Sequence, residues 1–348
     1  MLFLSHILRM TDHIGILEHC KGITPDPLEG YTTDDNARAL QLMLRLQQSH
    51  QDAEILLPVY FRFLRDAAAK NGFHNERSAR GEWEDTAGVG DWFGRAMLAL
   101  ADVAVLGPEE FRLPAITIFD EKIPLIKTVV SIHTIALLLE ALCQRLQITI
   151  RQKYAILPTH HVSALIDDLA GKLVDAYKIH TQSSWQWFDT ILTYENAKLP
   201  EALLLAFKMT GKKEYREISL TALDFLVSQT FDEKKGMFSF IGNNGWFPRG
   251  GQKAVFGQQP VDAAAAVEAC CTAYRVTDDT AYRMLAQKAF AWYEGENIYG
   301  ASLLDKKTGG VLDGLEEYCV SLNEGAESVI TYGLAWCAFK EMEKNFPS

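Results

Sequence analysis

Carboxylates, amides and tryptophans in this 348-residue sequence gather in short stretches just ahead of alanine-rich runs. PDPLEGYTTDDNARAL holds Tyr31, Asp34, Asp35, Asn36 and Arg38, and FHNERSARGEWEDTAGVGDWFGRAMLAL holds Glu82, Trp83, Glu84, Asp85, Asp91 and Trp92. Further on come Trp185, Trp187, Asp189, Tyr194, Glu195 and Asn196, then Trp246, Arg249, Gln258, Gln259 and Asp262, and last Asp313, Glu316, Glu317, Asn323, Glu324, Glu327 and Ser328. A pair of carboxyl groups, one protonated and one ionised, is the equipment for acid–base cleavage of an acetal. Aromatic rings stack on apolar C–H faces, while amides and carboxylates bind hydroxyls, so the same mixture suits a sugar. The simpler use of Asp and Asn at these places is helix capping, and Thr33 or Asp34 could do only that. A cap needs one side chain. Two adjacent carboxylates followed by Asn36 and Arg38 exceed the need, and two tryptophans among acids in a loop punctuated by Gly81, Gly88 and Gly90 suit a pocket lining.

The elements that must hold these residues repeat six times. The segments DNARALQLML, DWFGRAMLALA, HTIALLLEALC, NAKLPEALLLA, DAAAAVEACCT and ESVITYGLAWC begin at Asp35, Asp91, His133, Asn196, Asp262 and Glu327, 42 to 66 residues apart. A period this long leaves room for a second helix in each unit. Amphipathic candidates fall at roughly 2 to 10, 53 to 70, 109 to 127, 160 to 180, 212 to 229 and 279 to 294. In KEYREISLTALDFLVSQT, Tyr215, Ile218, Ala222, Phe225 and Leu226, widened by Leu223, form one stripe, with Lys213, Glu217 and Asp224 facing away. The alanine-rich helices lack a charged face and must be buried on all sides. Six buried helices alternating with six half-exposed ones predict an all-α fold, an (α/α)6 toroid with inner and outer rings. The third outer helix is expected broken or short, because FRLPAITIFDEKIPLIKTVV carries two prolines and β-branched runs. In such a ring the inner N-termini, with their unpaired N–H groups, converge on one cavity. The third loop, before His133, has no comparable cluster, and a histidine at a helix start serves as a structural or hydrogen-bonding group.

Composition sets the outer bounds. With 48% hydrophobic residues and no linker rich in Pro, Gly or Ser, residues 1–348 read as one catalytic domain. A net charge of −11 repels nucleic-acid phosphates and anionic membranes. Arg9 and Asp12 interrupt the apolar start before about 20 residues could span a bilayer, and no signal-peptide pattern precedes them, so a cytoplasmic location is expected. Cys143, Cys270, Cys271 and Cys337 sit in apolar runs and no CxxC exists, which predicts reduced core thiols. HExxH, EF-hand, Walker A, GxGxxG and GxSxG patterns are all missing, so neither metal nor cofactor is expected.

GYTTDDNARAL, GDWFGRAMLAL, WFDTILTYENAKLPEALLLA, FGQQPVDA and NEGAES, in this order, resemble the six-hairpin (α/α)6-barrel family of glycosidase-related proteins, found free-standing or attached to glycosyltransferase domains. The resemblance covers nearly the whole chain. It implies that Asp35, Asn36, Arg38, Asp91, Arg95, Glu195, Asn196, Gln258, Gln259, Asp262, Glu324 and Glu327 occupy motif positions. Where family members have Asn followed by Gln, this chain has Asn323 and Glu324, which weakens Glu324 as a required catalyst.

The expected activity is glycoside hydrolysis of an oligosaccharide, with Asp91 or Glu195 as general acid and Asp35 as the base that activates water. Carboxylates facing one another across a ring axis favour inversion. Trp83, Trp185, Trp187 and Trp246 would form stacking walls, and Arg38, Arg95, Asn36, Asn196, Gln258 and Gln259 would hold hydroxyls, with Tyr31, Asp34, Trp92, Tyr194, Asp262 and Glu327 alongside. A sugar epimerase, which wants a His or Tyr pair, a lyase using Tyr31, Tyr194, Arg38 and Arg95, and a non-catalytic glycan-binding module partnering a glycosyltransferase are the alternatives on the same fold.

Overall fold

The computed structural model describes residues 1–150 and 158–345. Twelve α-helices are present among them: α1 (Leu2–Met10), α2 (Thr33–Leu46), α3 (Gln51–Ala67), α4 (Asp91–Leu106), α5 (Glu109–Lys122), α6 (Ile132–Ile150), α7 (Thr159–His180), α8 (Lys198–Thr210), α9 (Lys213–Thr230), α10 (Pro260–Thr277), α11 (Thr280–Ala291) and α12 (Ala326–Asn345). The strands among the described residues are two-residue antiparallel ladders that tie loops together. The chain divides into two compact units, an N-terminal one of Leu4–Ala170 and a C-terminal one of Gly171–Ser348 with Met1–Phe3.

Each unit repeats one packing rule. In the N-terminal unit α4 lies against both α2 and α6, while α3 packs on α2 and α5 on α4. In the C-terminal unit α10 lies against α8 and α12, with α9 on α8 and α11 on α10. The even-numbered helices are therefore the inner set, and the reason is in their sequences. From Phe93 to Ala104 every residue of α4 is buried, and α10 is buried from Pro260 to Tyr274 except at Glu268. Alanine at 263–266 permits that close approach without a clash. The outer helices bury only a stripe. On α9, Tyr215, Ile218, Ala222, Leu223, Phe225 and Leu226 face inward as their spacing predicts.

Neighbouring inner helices run in the same direction. Arg95 in the first turns of α4 meets Asp34 at the start of α2, and late in the same pair Gln41 Nε2 donates to Asp102 Oδ2 at 2.7 Å. Between α10 and α12 the late residues meet, with Arg275 Nη1 donating to Glu341 Oε2 at 3.4 Å. The predicted break in the third outer helix is observed. Pro114 lies within α5, and at Ile123 the chain tightens into a 3₁₀ turn, Ile123–Thr128, that holds the second proline. Cys143, Cys270 and Cys271 are buried thiols and Cys337 is half-buried. No helix among the described residues is long and apolar enough to cross a membrane.

Candidate functional site

In the N-terminal unit, the loops before α2 and α4 are joined by an antiparallel ladder pairing Tyr31–Thr32 with Glu76–Arg77. Thr32, and not Thr33 or Asp34, caps α2: its Oγ1 accepts from Asp35 N at 3.1 Å and donates to Asp35 Oδ2 at 2.9 Å. That leaves Asp34 for another purpose. Its Oδ1 is 3.0 Å from Arg95 Nε, and its Oδ2 pairs with Arg38, one turn on. Both arginines are buried, and Arg38 also lies 3.7 Å from Asp35 Oδ1. Asp91 Oδ1, at the start of α4, accepts from the hydroxyls of Thr134 and Ser131 at the start of α6. Asp35 and Asp91, expected as base and acid, are thus carboxylates supplied with donors, an arrangement that anchors helix starts.

Other expected sugar-binding groups of this unit are used by the fold. Asn36 Oδ1 accepts from Ile16 N at 3.1 Å and its Nδ2 donates to Thr32 O at 2.8 Å, pinning the preceding loop. Gly15 is needed there, since a Cβ would come within 2.5 Å of Asn36 Oδ1. Tyr31 OH donates to Asp12 Oδ2 at 2.6 Å, and burial followed by that carboxylate pushes the phenol well up, so it stays a neutral donor. Trp92 Nε1 donates to Phe73 O at 2.8 Å, its ring lying against Gly90. Trp83 is not an open stacking wall. The His74 ring stacks on it at 5.2 Å, and the Arg77 guanidinium lies 4.9 Å from its centroid.

In the C-terminal unit, a ladder pairing Ile191–Leu192 with Phe247–Pro248 brings the loop before α8 to the one before α10. Its tryptophans divide sharply. Trp185 and Trp187 are 3% and 1% exposed and pack on Phe225 and Phe188, so these two expected walls are core. Trp246 is half-buried, with its ring 6.1 Å from that of Tyr194. Asn196 and Gln258 are also structural. The Asn196 side chain bonds the backbone of Thr193, and Gln258 Oε1 accepts from Phe240 N at 2.9 Å and Trp292 Nε1 at 3.2 Å while its Nε2 donates to Val255 O. Gln259, half-buried just before α10, makes no side-chain hydrogen bond with the described residues.

Backbone strain marks the same place. Among the described residues, three other than glycine have positive φ: Glu195 at 43°, Trp246 at 56° and Asp278 at 59°. Asp278 merely ends α10, whereas the other two carry candidate site side chains, and each such conformation costs roughly 1–3 kcal/mol unless the surroundings impose it. Glu195 is tied to Asp262, which lies in the first turn of α10 and is 6% exposed. Its Oδ1 accepts from Glu195 N at 2.8 Å, while its Oδ2 is buried with no hydrogen-bond partner among the described residues. Burial first, and then the negative charge of Glu327, push this carboxyl well above its ordinary value. A helix N-terminus favours the anion by only about 0.3–1 kcal/mol, less than one pKa step of 1.36 kcal/mol, so burial wins.

Glu324 makes a contrast. It is fully buried, its Oε1 accepts from Thr308 Oγ1 at 3.0 Å, and Gly310 packs so closely that a Cβ there would sit 2.0 Å from Oε2. Asp313 Oδ1 secures the start of α12 through Gly325 N at 2.8 Å and Ser328 Oγ at 2.7 Å. The residue that sequence reading passed over is His74. Its Nδ1 lies 3.2 Å from Asp85 Oδ1, a pairing made by a loop that returns after eleven residues and carries no periodic signal.

No protein-family model matches the sequence, and no curated protein matches it. Solved structures do. A D-mannose isomerase superposes with a TM-score of 0.75 at 13% identity, over 99% of this chain and 95% of that one. A cellobiose 2-epimerase from Bacillus thermoamylovorans gives 0.75 at 12%, over 98% and 96%. An inactive variant of the alpha-1,6-mannanase of a Salegentibacter species, with two consecutive aspartates changed to alanine and alpha-1,6-mannotetrose bound, gives 0.66 at 11%, over 98% of both chains. At such identities the likeness defines the fold: the chain is an all-α protein of the (α/α)6 toroid class.

Proposed function

We propose that the chain is a carbohydrate-active enzyme that hydrolyses a glycosidic bond of an oligosaccharide, with Asp262 as its general acid. Asp262 itself carries the reading: a carboxyl at an inner-helix start whose pKa burial and then Glu327 raise, with one oxygen left without a hydrogen-bond partner among the described residues. An acid that must donate to a leaving oxygen needs its proton at working pH. Glu327 and Glu195 supply the companion carboxylate, and the Tyr194–Trp246 pair supplies apolar ring surface for a sugar face. The fold's neighbours, a D-mannose isomerase, a cellobiose 2-epimerase and an alpha-1,6-mannanase, are all named for sugars, which supports the substrate class.

Isomerisation or epimerisation of a sugar is the second reading, favoured by TM-scores of 0.75 for those neighbours against 0.66 for the mannanase. Against it, the last histidine in the sequence is His180, whose Nδ1 lies against the backbone carbonyls of Ala176 and Phe188, so the inner-helix starts of the C-terminal unit offer carboxyls and no imidazole. Incubation with alpha-1,6-mannotetrose, cellobiose and mannose, followed by chromatography, separates the two. Shorter products mean hydrolysis, and a changed sugar of the same length means the second reading. Asp262→Asn and Glu327→Gln should each lower kcat about 10²–10⁴-fold. Full activity in both variants sinks the assignment of Asp262.

A further inference from the structure

His74 has an unusually determined geometry for a residue in a loop. Its backbone is held on both sides, N donating to Ala67 O at 2.9 Å and O accepting from Thr33 Oγ1 at 2.6 Å, at the first residue of α2. Its ring stacks on Trp83 with 18° between the planes, and Phe63 meets the other edge of that indole at 5.4 Å. Its Nδ1 is 3.0 Å from Asp85 O and 3.2 Å from Asp85 Oδ1. Asp85 is fixed in turn, because its Oδ2 accepts from Asn75 N at 2.7 Å and Asn75 Oδ1 accepts from Asp34 N at 3.3 Å.

These contacts settle the tautomer. A carbonyl oxygen and a carboxylate oxygen can only accept, so Nδ1 carries the hydrogen and the neutral ring presents Nε2 as a bare lone pair. Nε2 bonds none of the described residues, and the side chain is one-quarter exposed. Core histidines satisfy both nitrogens; this one, in a loop bonded to the start of α2, satisfies only Nδ1 among the described residues. We infer that His74 Nε2 is the hydrogen-bond acceptor for a hydroxyl of a neutral sugar, one contact of a carbohydrate subsite in the N-terminal unit, with Asp85 as its positioning residue. The inference rests on the carbohydrate reading given above but not on the chemistry assigned to Asp262.

Diethyl pyrocarbonate, which acylates an unprotonated imidazole nitrogen, reads this directly when the modified histidine is located by mass spectrometry. His74 should react in the free protein, and alpha-1,6-mannotetrose or cellobiose should slow that reaction at least about fivefold while leaving exposed His19 and His160 unchanged. His74→Phe keeps a ring on Trp83 but removes the acceptor, and should weaken sugar binding by calorimetry about five- to tenfold, the effect of one lost hydrogen bond. Asp85→Asn removes the carboxylate from Nδ1 and leaves the Asp85 carbonyl in place, and should slow acylation at Nε2 while the fold, read by Tm, is retained. Should His74→Phe fold poorly, protection in the wild type still decides. No protection by either sugar, or binding by His74→Phe as tight as wild type, overturns the inference. Protection without turnover would uphold this contact and overturn the hydrolase reading; cleavage with no loss in His74→Phe would do the reverse.

Discussion

Asp34 in the N-terminal unit lies between two buried guanidinium groups, whereas Asp262 in the C-terminal unit has one backbone donor, an oxygen with no partner among the described residues, and a like-charged neighbour in Glu327. Both are acids in the first turn of an inner helix, and both follow a motif rich in polar residues. Opposite charge and donated hydrogen bonds favour the ionised carboxylate, while burial and like charge favour the protonated acid. The partners therefore decide the role. Asp34 and Asp91 link the starts of α2, α4 and α6, whereas burial and a like-charged neighbour raise the pKa of Asp262.

The comparison can be tested first on the tryptophans. Trp187→Ala empties a core site and should cost about 3–5 kcal/mol in urea unfolding. Trp246→Ala should cost far less stability and instead weaken sugar binding; equal stability losses would erase the distinction. Next is the arginine cradle. Arg95→Met leaves Asp34 with less compensation and should destabilise by about 3 kcal/mol, read as a shift in the urea midpoint at constant m. A change below about 0.5 kcal/mol would mean that Asp34 is solvated like an ordinary surface acid. Smaller still is the strain at Glu195. Asn tolerates the left-handed region, so Glu195→Asn should raise stability by up to about 1 kcal/mol while lowering any activity that needs the carboxylate.

Much of this architecture is legible in the sequence, because a helix without a polar face has to be buried and the six alanine-rich runs lack one. The outer helices follow from stripes such as that of α9, and Pro114 with the second proline foretells the broken third outer helix. Roles within the loops are less legible. Trp185, Trp187 and Trp246 look alike as letters, yet Phe225 and Phe188 enclose two of them and not the third. Asn36, Asn196 and Gln258 read as hydroxyl binders, but loop backbones that fold back on them consume their amides. Asp262 stands out as an acid near a helix start, while the rise of its pKa comes from burial and then from Glu327 on another segment. His74 and Asp85 meet only because a ladder returns the chain, which no spacing announces.

The protonation of Asp262 also has a sign in stability. Its folded pKa lies above the ordinary 3.8, so between those two values the native state holds a proton that the unfolded chain has released, and stability falls as pH rises through that window. The Tm of Asp262→Asn relative to wild type should accordingly climb with pH from about 4 upward and level off above the folded pKa. The most direct measurement is a pH titration of the side-chain carboxyl ¹³C resonance of Asp262, assigned by its disappearance in Asp262→Asn. That resonance should stay in its protonated position above pH 3.8 and titrate at a lower pH when Glu327→Gln removes the neighbouring charge. Titration of Asp262 at its ordinary 3.8 would contradict the claim that the C-terminal unit stores the proton.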